Sequence, residues 1–242
     1  MRIVIATVQT MTSPHPYYRH LAMAFVRGSV LSGEAVTLPD ELLLEPLDSM
    51  TPEQLERIIA VGAEAGLRLH RFKRTHETLP RVRRVLGFLR GIAPESLLDV
   101  GSGRGAFLWP CLNTFPELPV TACEIDPVRI RLYDAVRQGG IDRLHFHQSN
   151  IARLELPDRS FDVVTMLEVL EHLDRPLEVI QVGLRLAARY LVVSVPSKED
   201  DNPAHIHFLT RPKLEALFHE AGCRCIQFDG VPGHLIVIAV LP

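Results

Sequence analysis

The segment Glu168-Val-Leu-Glu171-His172 brings two carboxylates and an imidazole into one short stretch. If it opens a helical turn, Glu168 shares a face with Glu171 or His172, at spacings of three and four. Such a face can act as a general base, clamp a substrate or hold a divalent cation, and carboxylate with imidazole suits Mg, Mn or Zn. His205 and His207, in a later loop, could complete a metal set of Glu168, Glu171, His172 and one of that pair. The plainer reading keeps His172 as a substrate-pocket base, with Glu168 and Glu171 beside it and no metal. His145 and His147 alternate on a predicted strand and read as structural.

A second segment, Leu97-Leu-Asp-Val-Gly101-Ser-Gly103-Arg-Gly105, is an apolar run entering a glycine-rich turn that opens a helix. Glycines there admit positive φ and let a ligand approach the backbone. Glu124 ends the next predicted strand 19 residues past Gly105, where a carboxylate can accept both hydroxyls of a ribose. Gly101, Gly103 and Ala106 formally satisfy a dinucleotide fingerprint. Asp99, however, would repel a pyrophosphate and favour an ammonium or sulfonium cation. The charges therefore fit S-adenosylmethionine better than NAD.

These residues need a scaffold that sets them at one sheet edge. From Ser96 the pattern alternates strand with helix, which predicts a parallel sheet covered on both faces. Strands are predicted at Ser96–Val100, Val120–Glu124, Leu144–Gln148, Phe161–Leu167, Tyr190–Val195, Cys225–Phe228 and His234–Val240, and helices at Gly105–Phe115, Pro127–Gln138, Pro176–Ala188 and Arg211–Ala221. The connection Asp229–Gly233 is too short for a helical crossover, so the last two strands must be antiparallel. Upstream, Arg2–Val8 reads as a short strand, Gly28–Pro46 as an irregular connection, Thr51 as the cap of a helix starting at Pro52, and Pro80 to Arg90 as a basic helix. Trp109, among apolar neighbours, reads as core.

Four motifs together resemble the class I S-adenosylmethionine-dependent methyltransferases, within them the type-11 group that includes ubiquinone-biosynthesis-like enzymes: LLDVGSGRG (Leu97–Gly105), VTACEIDP (Val120–Pro127), SFDVVTMLEVLEHL (Ser160–Leu173) and HIHFLTRPKLEALFHEAG (His205–Gly222). The resemblance runs from about Glu95 to the C-terminus. It implies an α/β, Rossmann-like fold with a seven-stranded, mostly parallel sheet, a C-terminal antiparallel hairpin and an N-terminal helical cap. It also implies that Asp99, Gly101 and Gly103 hold the methionine portion, Glu124 the ribose and Ile125 one adenine face. Asn150, where the family usually has Asp, and Ile151 would meet the adenine edge. Ser102, Gly105 and Leu167 join this expected cofactor wall. The Glu-Val-Leu-Glu-His patch with a downstream histidine resembles, over these short stretches only, the metal-dependent RNA 3'-terminal ribose 2'-O-methyltransferases.

Two acceptor classes follow: a small or medium hydroxyl compound, and an RNA end. The chain has 242 residues, 47% hydrophobic and 23% charged, which excludes a largely disordered protein and divides as a cap over residues 1–94 and a catalytic domain over 95–242. The net charge of -3 conceals an asymmetry. Between Leu67 and Arg90 lie Arg68, Arg71, Lys73, Arg74, Arg81, Arg83, Arg84 and Arg90 against Glu77 alone, a segment that is either a solvated face or a contact for RNA phosphates. Cys111, Cys123, Cys223 and Cys225 match neither a disulfide framework nor zinc spacing, and Cys223 and Cys225 are expected on one strand face. No apolar run is long enough for a membrane helix and no signal peptide is evident, so a cytoplasmic location without membrane association is expected.

Overall fold

The structure is a computed structural model, and it describes residues 16–34, 36–199 and 201–242. The strand expected at Arg2–Val8 lies outside the described residues. Seven strands form one sheet: β1 (Leu97–Val100), β2 (Val120–Glu124), β3 (Leu144–Gln148), β4 (Phe161–Leu167), β5 (Ala187–Pro196), β6 (Ile226–Val231) and β7 (His234–Val240). Their order is β3-β2-β1-β4-β5-β7-β6. The first five are parallel, β7 runs antiparallel to β5, and β6 pairs antiparallel with β7. The last two strands do close a hairpin, but β6 continues through Asp229–Val231 and only Pro232 and Gly233 connect it to β7, a turn too short for anything but antiparallel pairing. Strand order reverses between β1 and β4, so the carboxyl ends of these strands diverge and leave a crevice for a ligand.

Alternation along β1 divides the interior. Leu97 enters a core on one sheet face while Leu98 and Val100 enter the other. The first core is covered by α1 (Arg19–Leu31), α3 (Pro52–Glu64), α4 (Pro80–Ile92), α5 (Leu108–Thr114) and α6 (Pro127–Gln138); the second by α7 (Pro176–Leu186) and α8 (Arg211–Glu220). A short α2 (Asp40–Leu44) lies upstream of α3. Thr51 caps α3 in a full capping box with Gln54, and Pro52 occupies the first turn.

Three local expectations are corrected. Gly28 does not open an irregular connection: it lies inside α1, where a Cβ would overlap the Ala135 carbonyl of α6. Reciprocally, a Cβ on Gly139 at the end of α6 would overlap the Ala24 carbonyl, so absent side chains let the two helices touch backbone to backbone. The helix expected from Gly105 begins only at Leu108, because Gly105 sits at φ +83. Cys223 and Cys225 share no strand face; both precede β6, Cys223 buried and Cys225 exposed.

Candidate active site

The glycine turn after β1 has Gly101 at φ 67, Gly103 at φ 59 and Gly105 at φ 83, left-handed conformations that a side chain would strain. Gly101 packs against Val169, leaving no room for a Cβ, while Gly105 faces the Trp109 indole. Trp109 is fully buried and its Nε1 donates to the Arg104 carbonyl at 3.0 Å, so it is a core residue that shapes the turn. Tyr133 Oη of α6 donates to the Gly103 carbonyl at 2.6 Å.

Around this turn lies a cleft of about 390 Å³. Its walls include Gly101, Gly103, Glu124, Ile125, Asn150 and Ile151 on one side, and Glu168, Val169 and His172 on the other. Glu124 is 3% exposed, yet its carboxylate is fully engaged: Oε1 accepts from the Ile125 and Asp126 amides, and Oε2 from the Gly103 amide at 2.9 Å and from Arg129 at 3.0 Å. Next to it Ile125 is 66% exposed, an apolar side chain held at the cleft with nothing covering it. Asn150 Oδ1 accepts from the Ala152 amide, which fixes that side chain at the cleft wall.

Asp99 lies beneath the turn, almost fully buried. Thr165 Oγ1 of β4 donates to its Oδ1 at 2.8 Å, and Ser102 Oγ donates to its backbone carbonyl at 2.9 Å. Its Oδ2 is buried without a hydrogen-bond partner among the described residues. Burial pushes the Asp99 carboxyl up to about 6; the hydroxyls of Ser102 and Thr165 oppose that shift and the Glu124 charge adds to it. A buried carboxylate oxygen with spare capacity, at the foot of a glycine cradle, suits a cation.

The second half of the site departs from the spacing argument. Glu168 adopts φ 59 and is not part of a helical turn; only Leu170–His172 forms one, a short 3₁₀ turn. Glu168 consequently points away from Glu171: it accepts from Ser194 Oγ of β5 at 2.7 Å, lies 3.2 Å from His234 Nε2 of β7 and 3.9 Å from Arg81 of α4. Glu171, His172 and His205 do converge, with one ligand atom of each within 4.8 Å of the others. Glu171 is buried, and His172 Nδ1 donates to the Ala204 carbonyl at 2.7 Å, which leaves Nε2 facing outward as a base or ligand. Of the two loop histidines only His205 joins this group. His207 takes its amide to the Glu171 carbonyl, and its Nε2 is buried without a partner among the described residues.

Arg129, Thr165, Ser194 and His234 were not singled out by sequence, and Arg81 was named only as one cation of the basic segment. Arg129 was findable, three residues after the helix cap Asp126 and hence on the turn facing Glu124. The others meet the site only through strand register and helix docking.

Residues 70–227 match the family described as a methyltransferase domain. The chain belongs to this family. Among curated proteins, it is similar to the tRNA U34 carboxymethyltransferase of Serratia proteamaculans (strain 568), 37% identical over 100 residues that cover 39% of this chain and 29% of that protein. It is also similar to the ubiquinone biosynthesis O-methyltransferase of Vibrio cholerae (strain M66-2), 31% identical over 117 residues, 48% of this chain and 47% of that one. The chain thus spans less than half the length of these relatives. Among solved structures, a SAM-dependent methyltransferase from Aquifex aeolicus superposes with a TM-score of 0.54 at 20% identity, covering 70% of this chain and 94% of that one. Magnesium protoporphyrin IX methyltransferase from Synechocystis PCC 6803, solved with bound SAH, gives 0.53 at 16%, covering 67% and 82%. These likenesses establish that the sheet, including its terminal hairpin, is the class I methyltransferase fold, and the resemblance noted in the sequence holds. Among the described residues, no helix of this methyltransferase is long and apolar enough to cross a membrane.

Proposed function

We propose that the protein transfers a methyl group from S-adenosylmethionine to a hydroxyl oxygen of its acceptor. The observation that carries this reading is the meeting of two sets of residues at one cleft. A nucleoside wall of Glu124, Ile125 and Asn150 faces His172, which belongs to the Glu171, His172 and His205 cluster.

When bound, the cofactor supplies an electrophilic methyl on a sulfonium. Asp99 and the Gly101–Gly103 turn hold its charged end, Glu124 accepts its ribose hydroxyls, and Ile125 covers the adenine with the Asn150 amide at its edge. Methyl transfer is an in-line displacement, so the protein's work is alignment and removal of the acceptor proton. His172 Nε2 is the proton acceptor, its tautomer set by the Ala204 carbonyl. The donor set of Glu171, His172 and His205 also fits a divalent cation, and Mg or Mn held there would acidify a coordinated hydroxyl. Glu168 instead holds the reacting turn in place through Ser194, His234 and Arg81.

A second reading places the acceptor hydroxyl on RNA, favoured by the cationic segment from Arg68 to Arg90. Transfer from labelled cofactor, offered to small phenolic acceptors and to RNA with a free or blocked 3' diol, separates the two. His172→Ala should slow transfer about a hundredfold or more. Undiminished transfer by that variant would overturn the assignment of the base.

A further inference from the structure

The cations from Arg68 to Arg90 are not equivalent once folded. Arg74 pairs with Glu77, Arg84 with Asp229, and Arg81 is drawn to Glu168. Arg68 precedes and Arg71 lies within a 3₁₀ turn, Leu69–Phe72, and neither makes an ion pair among the described residues. That turn is seated on the glycine loop: Phe72 is fully buried with its ring 5.1 Å from Trp109, whose Nε1 holds the Arg104 carbonyl. The seating sets the backbone next to Arg71 against the turn that carries Arg104, which is exposed and likewise makes no ion pair among the described residues. Burial and then repulsion from Arg68 and Arg104 depress the pKa of Arg71. Asp126 opposes this, but its carboxylate already caps α6 and pairs with Arg129 at 3.4 Å.

We propose that Arg68, Arg71 and Arg104 form a phosphate-binding site for an RNA strand at the lip of the cofactor cleft. Cations that repel Arg71 from two sides, with the acid that acts on it, Asp126, already engaged by Arg129, cost free energy that an anion recovers, and guanidinium geometry suits phosphate oxygens. Exposed Arg83 and Arg90 on α4 make no ion pair among the described residues either, so the segment carries more unpaired cations than a single phosphate needs. That surplus favours a polyanion over a small phosphorylated compound. Contacts to phosphates alone carry no base information, so the strand is bound without sequence preference. The inference rests on the second reading above, and supplies the contact that would bring the acceptor to the cleft.

The test is fluorescence anisotropy of labelled oligouridylate and oligoadenylate, titrated across roughly 50 to 200 mM salt, with S-adenosylhomocysteine binding measured in parallel. Replacing Arg68, Arg71 and Arg104 together by alanine should weaken both oligonucleotides at least tenfold. It should also flatten the log-log salt slope by about 2, from roughly 0.7 per phosphate contact on a single strand. S-adenosylhomocysteine affinity should stay within twofold, which reports an intact fold, and the single Arg104→Glu variant should act in the same direction. Arg83→Ala with Arg90→Ala should lose less. An unchanged salt slope in the triple variant, a larger loss in the α4 pair, no RNA binding by the native chain, or full displacement by inorganic phosphate at equal concentration would each overturn the proposal. RNA binding is read without methyl transfer. RNA held but never methylated therefore counts against the acceptor reading alone, and methylation of a phosphate-free compound without RNA binding counts against this site alone.

Discussion

Arg129 Nη1 lies 3.0 Å from Glu124 Oε2, on the carboxylate expected to receive the cofactor's ribose. The guanidinium is 38% exposed, so the pair is partly screened and worth about 1 kcal/mol or less. The ribose competes with it for the same oxygen. Arg129→Ala should therefore tighten S-adenosylhomocysteine by about two- to fivefold, whereas Glu124→Ala should weaken it by tenfold or more, at about 1.5–3 kcal/mol for hydrogen bonds to a charge. Calorimetry of both variants decides it; a tenfold loss on removing Arg129 would mean that the guanidinium contacts the cofactor.

Asp99 sets a pH dependence. An acid whose pKa rises on folding, here from 3.8 to about 6, keeps its proton better in the folded chain. Its contribution to stability is most favourable below about pH 4 and is lost as pH climbs through about 6, by roughly 3 kcal/mol at about 1.4 kcal/mol per unit. Asp99→Asn should remove this slope, so the difference in melting temperature between variant and native chain should widen in the variant's favour from pH 4 to pH 7. Cationic S-adenosylmethionine favours the ionised carboxylate, and its affinity for the native chain should rise over the same window. A pH-independent difference between the two proteins would contradict a buried, proton-retaining Asp99.

Gly105→Ala should destabilise by about 3 kcal/mol or more, since it combines a φ of +83 with overlap against a buried indole. Trp109 is the chain's single tryptophan, so its emission reports both the displacement of the ring and the lowered unfolding midpoint. Gly87→Ala, at a helical position with open space around it, is the control and should be neutral or slightly stabilising.

Manganese binding separates the two glutamates. Glu171→Gln should weaken it by tenfold or more, as loss of a ligand does, while Glu168→Gln should change it less than threefold because its carboxylate is turned to Ser194 and His234. Equal losses would restore Glu168 to the ligand set. If calorimetry of the native chain shows no manganese binding, His172 acts alone.

The sequence made the sheet legible because β1, β2, β4 and β5 are largely apolar runs ended by turns, with only β3 interrupted by His145 and His147, and it pointed to the proposed cofactor wall because glycine and carboxylate stand at strand ends. Glu168 was misplaced for a local reason. A spacing of three implies a shared face only in a helix, and a left-handed residue at the strand end redirects the carboxylate toward β5 and β7. Arg81 and His234, 153 residues apart, meet through tertiary docking that no local pattern encodes. Gly28 was read as a breaker because glycine in isolation signals a turn, whereas its use here is to let two helices touch.

That contact gives α6 a double duty. The helix starts at the proposed ribose wall, with Asp126 and Arg129, and about 18 Å further on ends at Gly139 against the backbone of α1. A joint with no side chains between its parts has no backlash: neither helix can slide without carrying the other. The N-terminal helix α1 is therefore geared to the proposed nucleoside wall, and a substitution in α1 that lifts the two backbones apart should register first as a loosened grip on the cofactor.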